Sequence, residues 1–218
     1  MEDRPQGSRG SRRSSAGSAR PILLLDVMDT LVHEPFYREM PAFFGMTLEE
    51  LLVAKHPTAW VDFELGTLDE GAFLARFFRD GRPVDVPAFR RMLSAAYCWL
   101  PGMEALLARL AAEGHRLHAL SNYPDWYRTI EERLRLSRYL SWSFVSCRTG
   151  VRKPDPRAFT GAAEALGVAP GACLLIDARE ENCAAARRVG MPAVRFTGAE
   201  DLSGELARRG LLGAGGAA

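Results

Sequence analysis

The chain has 218 residues, 47% of them hydrophobic and 25% charged, with a formal net charge of +1. That length suits one core domain with an insertion, or two small domains. The near-zero charge removes any overall electrostatic case for nucleic acid or an anionic membrane as partner, and no run approaches the roughly 20 apolar residues that cross a bilayer.

Residues 1–20 carry Arg4, Arg9, Arg12, Arg13 and Arg20, five serines and no acid after Asp3. Two readings fit: a disordered tail, or part of an organelle transit segment. Ile22–Leu25 is a short apolar run ending at Asp26, which predicts a buried strand. Residues 35–97 then read as helical and rich in Phe. Leu48, Leu51 and Leu52 suggest one helix there, and Phe73, Leu74, Phe77 and Phe78 another. Four later runs, 117–120, 143–147, 173–176 and 193–196, resemble the first strand. Between them Met103, Leu106, Leu107 and Leu110 recur on one helical face. Asp155 and Pro156 supply an N-cap and a first-turn proline for a helix carrying Phe159, Ala163 and Leu166. Residues 180–189 form an Ala/Arg-rich helix closed by Gly190, and 213–218 reads as a frayed end.

Strands alternating with helices predict an α/β fold, a parallel sheet covered on both faces, with its ligand beyond the carboxyl ends of the strands. The core is expected at 21–34 and 98–212. The helical segment 35–97, inserted after the first strand, is expected to stand over that edge as a lid that excludes water. Cys98, Cys147, Cys173 and Cys183 include no Cys-x-x-Cys pair, which predicts reduced, mostly buried thiols in a reducing compartment.

Four polar features fall at or beyond predicted strand ends. Asp26, in Asp26-Val27-Met28-Asp29-Thr30, offers a carboxylate able to attack phosphorus. Ser121-Asn122 offers a hydroxyl and an amide for phosphate oxygens. Lys153, in Arg152-Lys153-Pro154-Asp155-Pro156, offers a cation to neutralise phosphate and nucleophile together. Asp177 offers a second carboxylate for a divalent cation such as Mg²⁺, which takes hard oxygen donors. Taken singly, each also fits a solvated turn, loop or strand-end cap. Taken in order on separate strands, they are the parts that phosphoryl transfer needs.

With these motifs over residues 21–200 the sequence resembles the haloacid dehalogenase superfamily. Asp26-Val27-Met28-Asp29-Thr30 matches its first motif, Ser121 its second, Lys153 its third, and Asp177 with Asn182 its fourth. The resemblance implies a Rossmann-like core, a helical cap, an aspartyl-phosphate intermediate and Mg²⁺ held by Asp26, the Met28 carbonyl and Asp177. A closer set of strings, Pro35-Phe36-Tyr37, Pro41-Ala42-Phe43-Phe44-Gly45-Met46, Lys55-His56-Pro57, Ser121-Asn122-Tyr123-Pro124, Trp126-Tyr127 and Leu140-Ser141-Trp142, is similar to the plant chloroplast flavin mononucleotide (FMN) hydrolases. That implies hydrolysis of FMN to riboflavin and phosphate, and a chloroplast location rather than the alternative cytoplasmic one. Trp60, Phe63, Tyr123 and Trp126 are candidates to stack a flat ring or to pack the core.

Two positions depart from the superfamily pattern. Met28 stands where the general acid/base Asp usually does, and Met transfers no proton, which leaves Asp29 as a candidate replacement. Ala178 stands where a second metal-binding Asp is common, so Asp177 would serve with help from Glu180, Glu181 or Asn182. These departures keep two alternatives open: a weak or inactive relative that binds a phosphorylated ligand or protein partner, and a metal-free dehalogenase-like hydrolase attacking carbon.

Overall fold

A computed structural model describes residues 20–213. The expectations for the arginine-rich start and for the last five residues fall outside them. The first strand, β1 (Ile22–Leu25), is buried along its whole length. A 3-10 turn at Pro35–Tyr37 follows, then five helices: α1 (Glu39–Phe43), α2 (Leu48–Ala54), α3 (Ala59–Glu64), α4 (Glu70–Ala75) and α5 (Val86–Ala96). The chain then alternates: α6 (Met103–Ala112), β2 (Leu117–Ser121), α7 (Tyr127–Leu134), β3 (Ser141–Val145), α8 (Ser146–Thr149), α9 (Pro156–Ala165), β4 (Cys173–Asp177), α10 (Glu180–Arg188), β5 (Ala193–Arg195) and α11 (Ala199–Arg208).

The five strands form one parallel sheet in the order β3-β2-β1-β4-β5. Parallel strands covered on both faces read as unbroken apolar runs, which is why β1 and β4 are so plain in the sequence. Alternation sends Leu23, Leu25, Leu174 and Ile176 into one core with Leu107 of α6 and Leu206 of α11. Ile22, Leu24 and Leu175 enter the opposite core with Phe159 of α9 and Cys183 of α10, as a period of two requires. Strand order reverses between β1 and β4, so a crevice opens beyond their carboxyl ends. Leu25 pairs with Ile176, so the next residues, Asp26 and Asp177, stand side by side at that point.

Two expected elements are shifted. The third strand starts and ends two residues earlier than 143–147, because Ser146 leaves the sheet to open α8. Its hydroxyl donates to the Glu64 carbonyl at 2.5 Å and accepts the Tyr123 N–H at 3.0 Å. Helix α4 ends at Ala75 rather than running through Phe78. Phe78 instead makes an antiparallel bridge to Lys55, and the Phe77 carbonyl accepts the His56 N–H at 2.8 Å. All four cysteines are free, as expected, but only Cys173 and Cys183 are buried; Cys147 is half-buried and Cys98 exposed.

Helices α1–α5 meet the sheet at its carboxyl end. Phe63 and Phe73 stack at 4.5 Å, and Trp126, from the loop after β2, packs edge-on to Phe63 at 5.0 Å. The Trp126 indole N–H donates to Glu70 Oε1 at 2.9 Å. Gly66, at the end of α3, has φ +72°, and a Cβ there would lie 2.3 Å from the Cys147 carbonyl oxygen. Only glycine permits that approach between the inserted helices and α8.

Candidate active site

The chain turns sharply after β1. Leu31 and Val32 N–H groups both return to the Val27 carbonyl, at 2.8 and 2.9 Å. Asp29 takes the left-handed conformation, φ +55°, which Asp tolerates better than most residues. This turn leaves Asp26 facing a cleft of about 610 Å³ and brings Thr30 back beneath it. Thr30 Oγ1 donates to Asp26 Oδ2 at 3.2 Å and itself accepts the Ala178 N–H at 3.2 Å. The nucleophile candidate is thus oriented from the backbone of the neighbouring strand end.

Lys153 is 2% exposed and lies between the two carboxylates. Its Nζ donates to Asp26 Oδ1 at 2.9 Å and to Asp177 Oδ2 at 2.5 Å. Burial alone lowers a lysine, but Asp26 and Asp177 overcome it and hold Lys153 above its usual range. Burial first, and the Asp177 charge second, push Asp26 up to about 6 against the pull of Lys153. One cation therefore faces two buried carboxylates, and the site carries surplus negative charge.

Asp177 is fully buried. Asn182 Nδ2 donates to both of its oxygens, at 3.1 and 3.0 Å, and the Arg179 N–H donates to Oδ1 at 2.8 Å. Of the three residues expected to assist Asp177, Asn182 touches it. Glu181 lines the cleft. Glu180 instead pairs with Arg187 at 2.6 Å one helical stretch away.

Ser121 ends β2 and is 2% exposed, and its Oγ has no hydrogen-bond partner among the described residues. A buried hydroxyl without a partner costs about 1–3 kcal/mol, and this one ends the strand next to the one that leads into Asp26. Asn122 differs from the expectation of an amide aimed at phosphate. Its Nδ2 donates to the Lys153 carbonyl and its Oδ1 accepts the Lys153 N–H, both at 2.7 Å. The side chain therefore fixes the loop that carries Lys153. Sequence spacing could not reveal a contact between residues so far apart in the chain.

Asp29 is exposed, and its Oδ1 accepts the Glu34 N–H at 3.3 Å. Glu34 was not singled out by any motif. Its Oε1 accepts the Phe36 N–H at 3.0 Å, and burial pushes its carboxyl up to about 8. Glu64, on α3, accepts the Trp60 indole N–H at 2.7 Å and meets Arg152 at 2.8 Å. Burial raises it too, against Arg152 and that indole. Of the aromatic candidates, Trp60 lines the cleft, joined there by Phe36 and Tyr37. Phe63, Tyr123 and Trp126 are 2%, 1% and 5% exposed and belong to the core.

Among the described residues no three His, Cys, Asp or Glu side chains gather as a metal cluster. Mg²⁺ does not require one, since it keeps several waters and takes one or two carboxylates. The oxygens here fit that ion. Met28 lines the cleft and its carbonyl accepts no hydrogen bond among the described residues, and the adjoining carboxylates have charge left over after Lys153. Ala178 adds no side-chain oxygen.

A model of the haloacid dehalogenase-like hydrolases matches residues 24–190. The chain is 44% identical over 205 residues to chloroplastic flavin mononucleotide hydrolase 1 of Arabidopsis thaliana, covering 94% of this chain and 84% of that protein. It is 30% identical over 177 residues to a phosphoserine phosphatase of Thermus thermophilus, covering 74% and 70%. A haloacid dehalogenase-family enzyme from Bacteroides thetaiotaomicron, crystallised with magnesium and inorganic phosphate, superposes with a TM-score of 0.69 at 20% identity, covering 85% and 98%. A haloacid dehalogenase-like hydrolase from Porphyromonas gingivalis superposes with a TM-score of 0.67 at 21% identity, covering 87% and 97%. With the motif order, the parallel sheet and the paired strand-end carboxylates, these matches make the chain a member of the haloacid dehalogenase-like hydrolases.

Proposed function

We propose that this hydrolase is a Mg²⁺-dependent phosphatase that converts FMN to riboflavin and phosphate through an aspartyl-phosphate intermediate. The observation that carries the reading is Asp26 at the sheet's switch point, bound by Lys153 at 2.9 Å and oriented by Thr30. Asp26 attacks phosphorus, the ester oxygen leaves, and water then attacks the phosphorus of the aspartyl phosphate to regenerate the carboxylate. Lys153 and the Ser121 hydroxyl hold the phosphoryl oxygens, while Asn122 fixes the Lys153 loop. Asp26, the Met28 carbonyl and Asp177 would hold Mg²⁺, which when bound neutralises charge on the phosphoryl group.

FMN is favoured among phosphomonoesters by the 44% identity to an FMN hydrolase and by the cleft wall. Phe36, Tyr37 and Trp60 offer flat apolar surface, and Lys55, Arg152 and Arg179 line the same space. In this reading residues 35–97 are the cap over a core of 21–34 and 98–212. A chloroplast location is supported by the same relative and by the arginine- and serine-rich residues 1–20. Among the described residues no helix is long and apolar enough to cross a membrane.

Phosphate release from FMN, with phosphoserine alongside and with and without Mg²⁺, tests this. Faster, Mg²⁺-dependent release from FMN is expected; none from FMN by folded protein would overturn it. The Ser121→Ala variant is expected to lose roughly 10–150-fold in kcat/KM, the value of a hydrogen bond to a charged group. Its melting temperature should hold or rise, because the hydroxyl has no protein partner to lose.

A further inference from the structure

We propose that Glu34 is the proton donor to the leaving oxygen, replacing the acid that Met28 cannot be. The inference rests on the phosphatase reading above. Four carboxyl side chains besides Asp26 line the cleft: Asp29, Glu34, Glu64 and Glu181. A general acid must hold a proton at neutral pH and have it free to give. Glu64 accepts the Trp60 indole N–H at 2.7 Å and is ion-paired with Arg152 at 2.8 Å, which favours its charged form. Asp29 and Glu181 are exposed to water, and Asp29 also accepts the Glu34 N–H at 3.3 Å. Glu34 has one oxygen on the Phe36 N–H at 3.0 Å, and its other oxygen has no hydrogen-bond partner among the described residues.

Its surroundings keep it neutral. Asp29, from the turn after β1, and Glu64, from α3, both disfavour its charge, and Arg179, from the loop after β4, opposes them. The Tyr97 and Tyr123 hydroxyls, paired at 2.8 Å, lie close enough for Glu34 to raise both. Desolvation outweighs the rest and leaves the carboxyl protonated up to about pH 8. The place in the fold also suits the role. The Asp29 turn sends the chain from the nucleophile's strand end to the inserted helices, so Glu34 and Asp26 line the same cleft.

In the first step a bond forms between an Asp26 oxygen and phosphorus, the ester P–O bond breaks, and the Glu34 proton passes to the departing oxygen. Glu34 is then a carboxylate. In the second step it takes a proton from the water that attacks phosphorus, which restores it and frees Asp26. The riboflavin alkoxide is a poor leaving group and needs that proton. Nitrophenolate leaves without it.

The test is a single turnover with enzyme in excess, following riboflavin release from FMN and nitrophenolate release from p-nitrophenyl phosphate. Glu34→Gln keeps the size of the side chain. It is expected to slow riboflavin release about 10²–10⁴-fold and to slow nitrophenolate release at least about tenfold less. The parent's FMN rate should fall as pH rises through about 8, because Glu34 loses its proton, and Glu34→Gln should lack that limb. Glu34→Asp should recover part of the loss. Equal slowing of both substrates, an unchanged FMN rate, or the leaving-group signature appearing in Asp29→Asn instead would overturn the assignment. Failure of the phosphatase reading shows separately, in a parent enzyme that releases no phosphate, and that result overturns both.

Discussion

Asp26→Asn should abolish FMN hydrolysis, with a loss of about 10⁴-fold or more in kcat, because an amide is no nucleophile toward phosphorus. The variant should stay folded. Asn has nearly the size of Asp, Thr30 can still donate to its carbonyl oxygen, and Lys153 keeps Asp177 as a partner at 2.5 Å. Asp26 is moreover pushed up to about 6 by burial and by the Asp177 charge, so removing its charge relieves a repulsion. The melting temperature should therefore hold or rise while activity disappears. A fall in both together would mean that Asp26 is structural.

Lys153→Met should produce the largest loss of stability. It replaces a fully buried ammonium with an apolar chain of similar length and leaves Asp26 and Asp177 facing each other without a cation. Removing one partner from a buried charge pair costs about 3–5 kcal/mol. For a chain of this size that is roughly 6–20 °C in melting temperature. Activity should be lost as well, since Lys153 also holds the phosphoryl group. Millimolar Mg²⁺ should return part of the lost stability, because a ligand that binds only the folded state raises it by mass action. An unchanged melting temperature would show that the two carboxylates are not both ionised in the folded protein.

Much of this site was legible because of where its residues stand relative to apolar runs. Asp26 and Asp177 end strands that are buried on both faces, and an acid closing an unbroken apolar run is visible in one sequence. Lys153 was marked by the two prolines that follow it. Less was legible at the sheet edge. β3 is half exposed, and its apolar residues Trp142, Phe144 and Val145 are interrupted by Ser143, which blurs where the strand begins. Helix α7 buries only Tyr127 and Ile130, too little to stand out. Nor could spacing show that Asn122 grips the backbone of Lys153, or that Asn182 holds both oxygens of Asp177. Glu34 is the extreme case. Nothing local sets it apart from a solvated glutamate, because the groups that act on its charge, Glu64 of α3 and Arg179 of the loop after β4, come near it only in the fold.

The covalent step is the core of this account, and it can be caught directly. Acid quenching of the enzyme during FMN turnover, followed by mass spectrometry of its peptides, should find one added phosphoryl group on the peptide containing Asp26, localised to that residue and absent from Asp26→Asn. A phosphoryl group on another residue, or steady turnover with no phosphorylated peptide at any quench time, would contradict it.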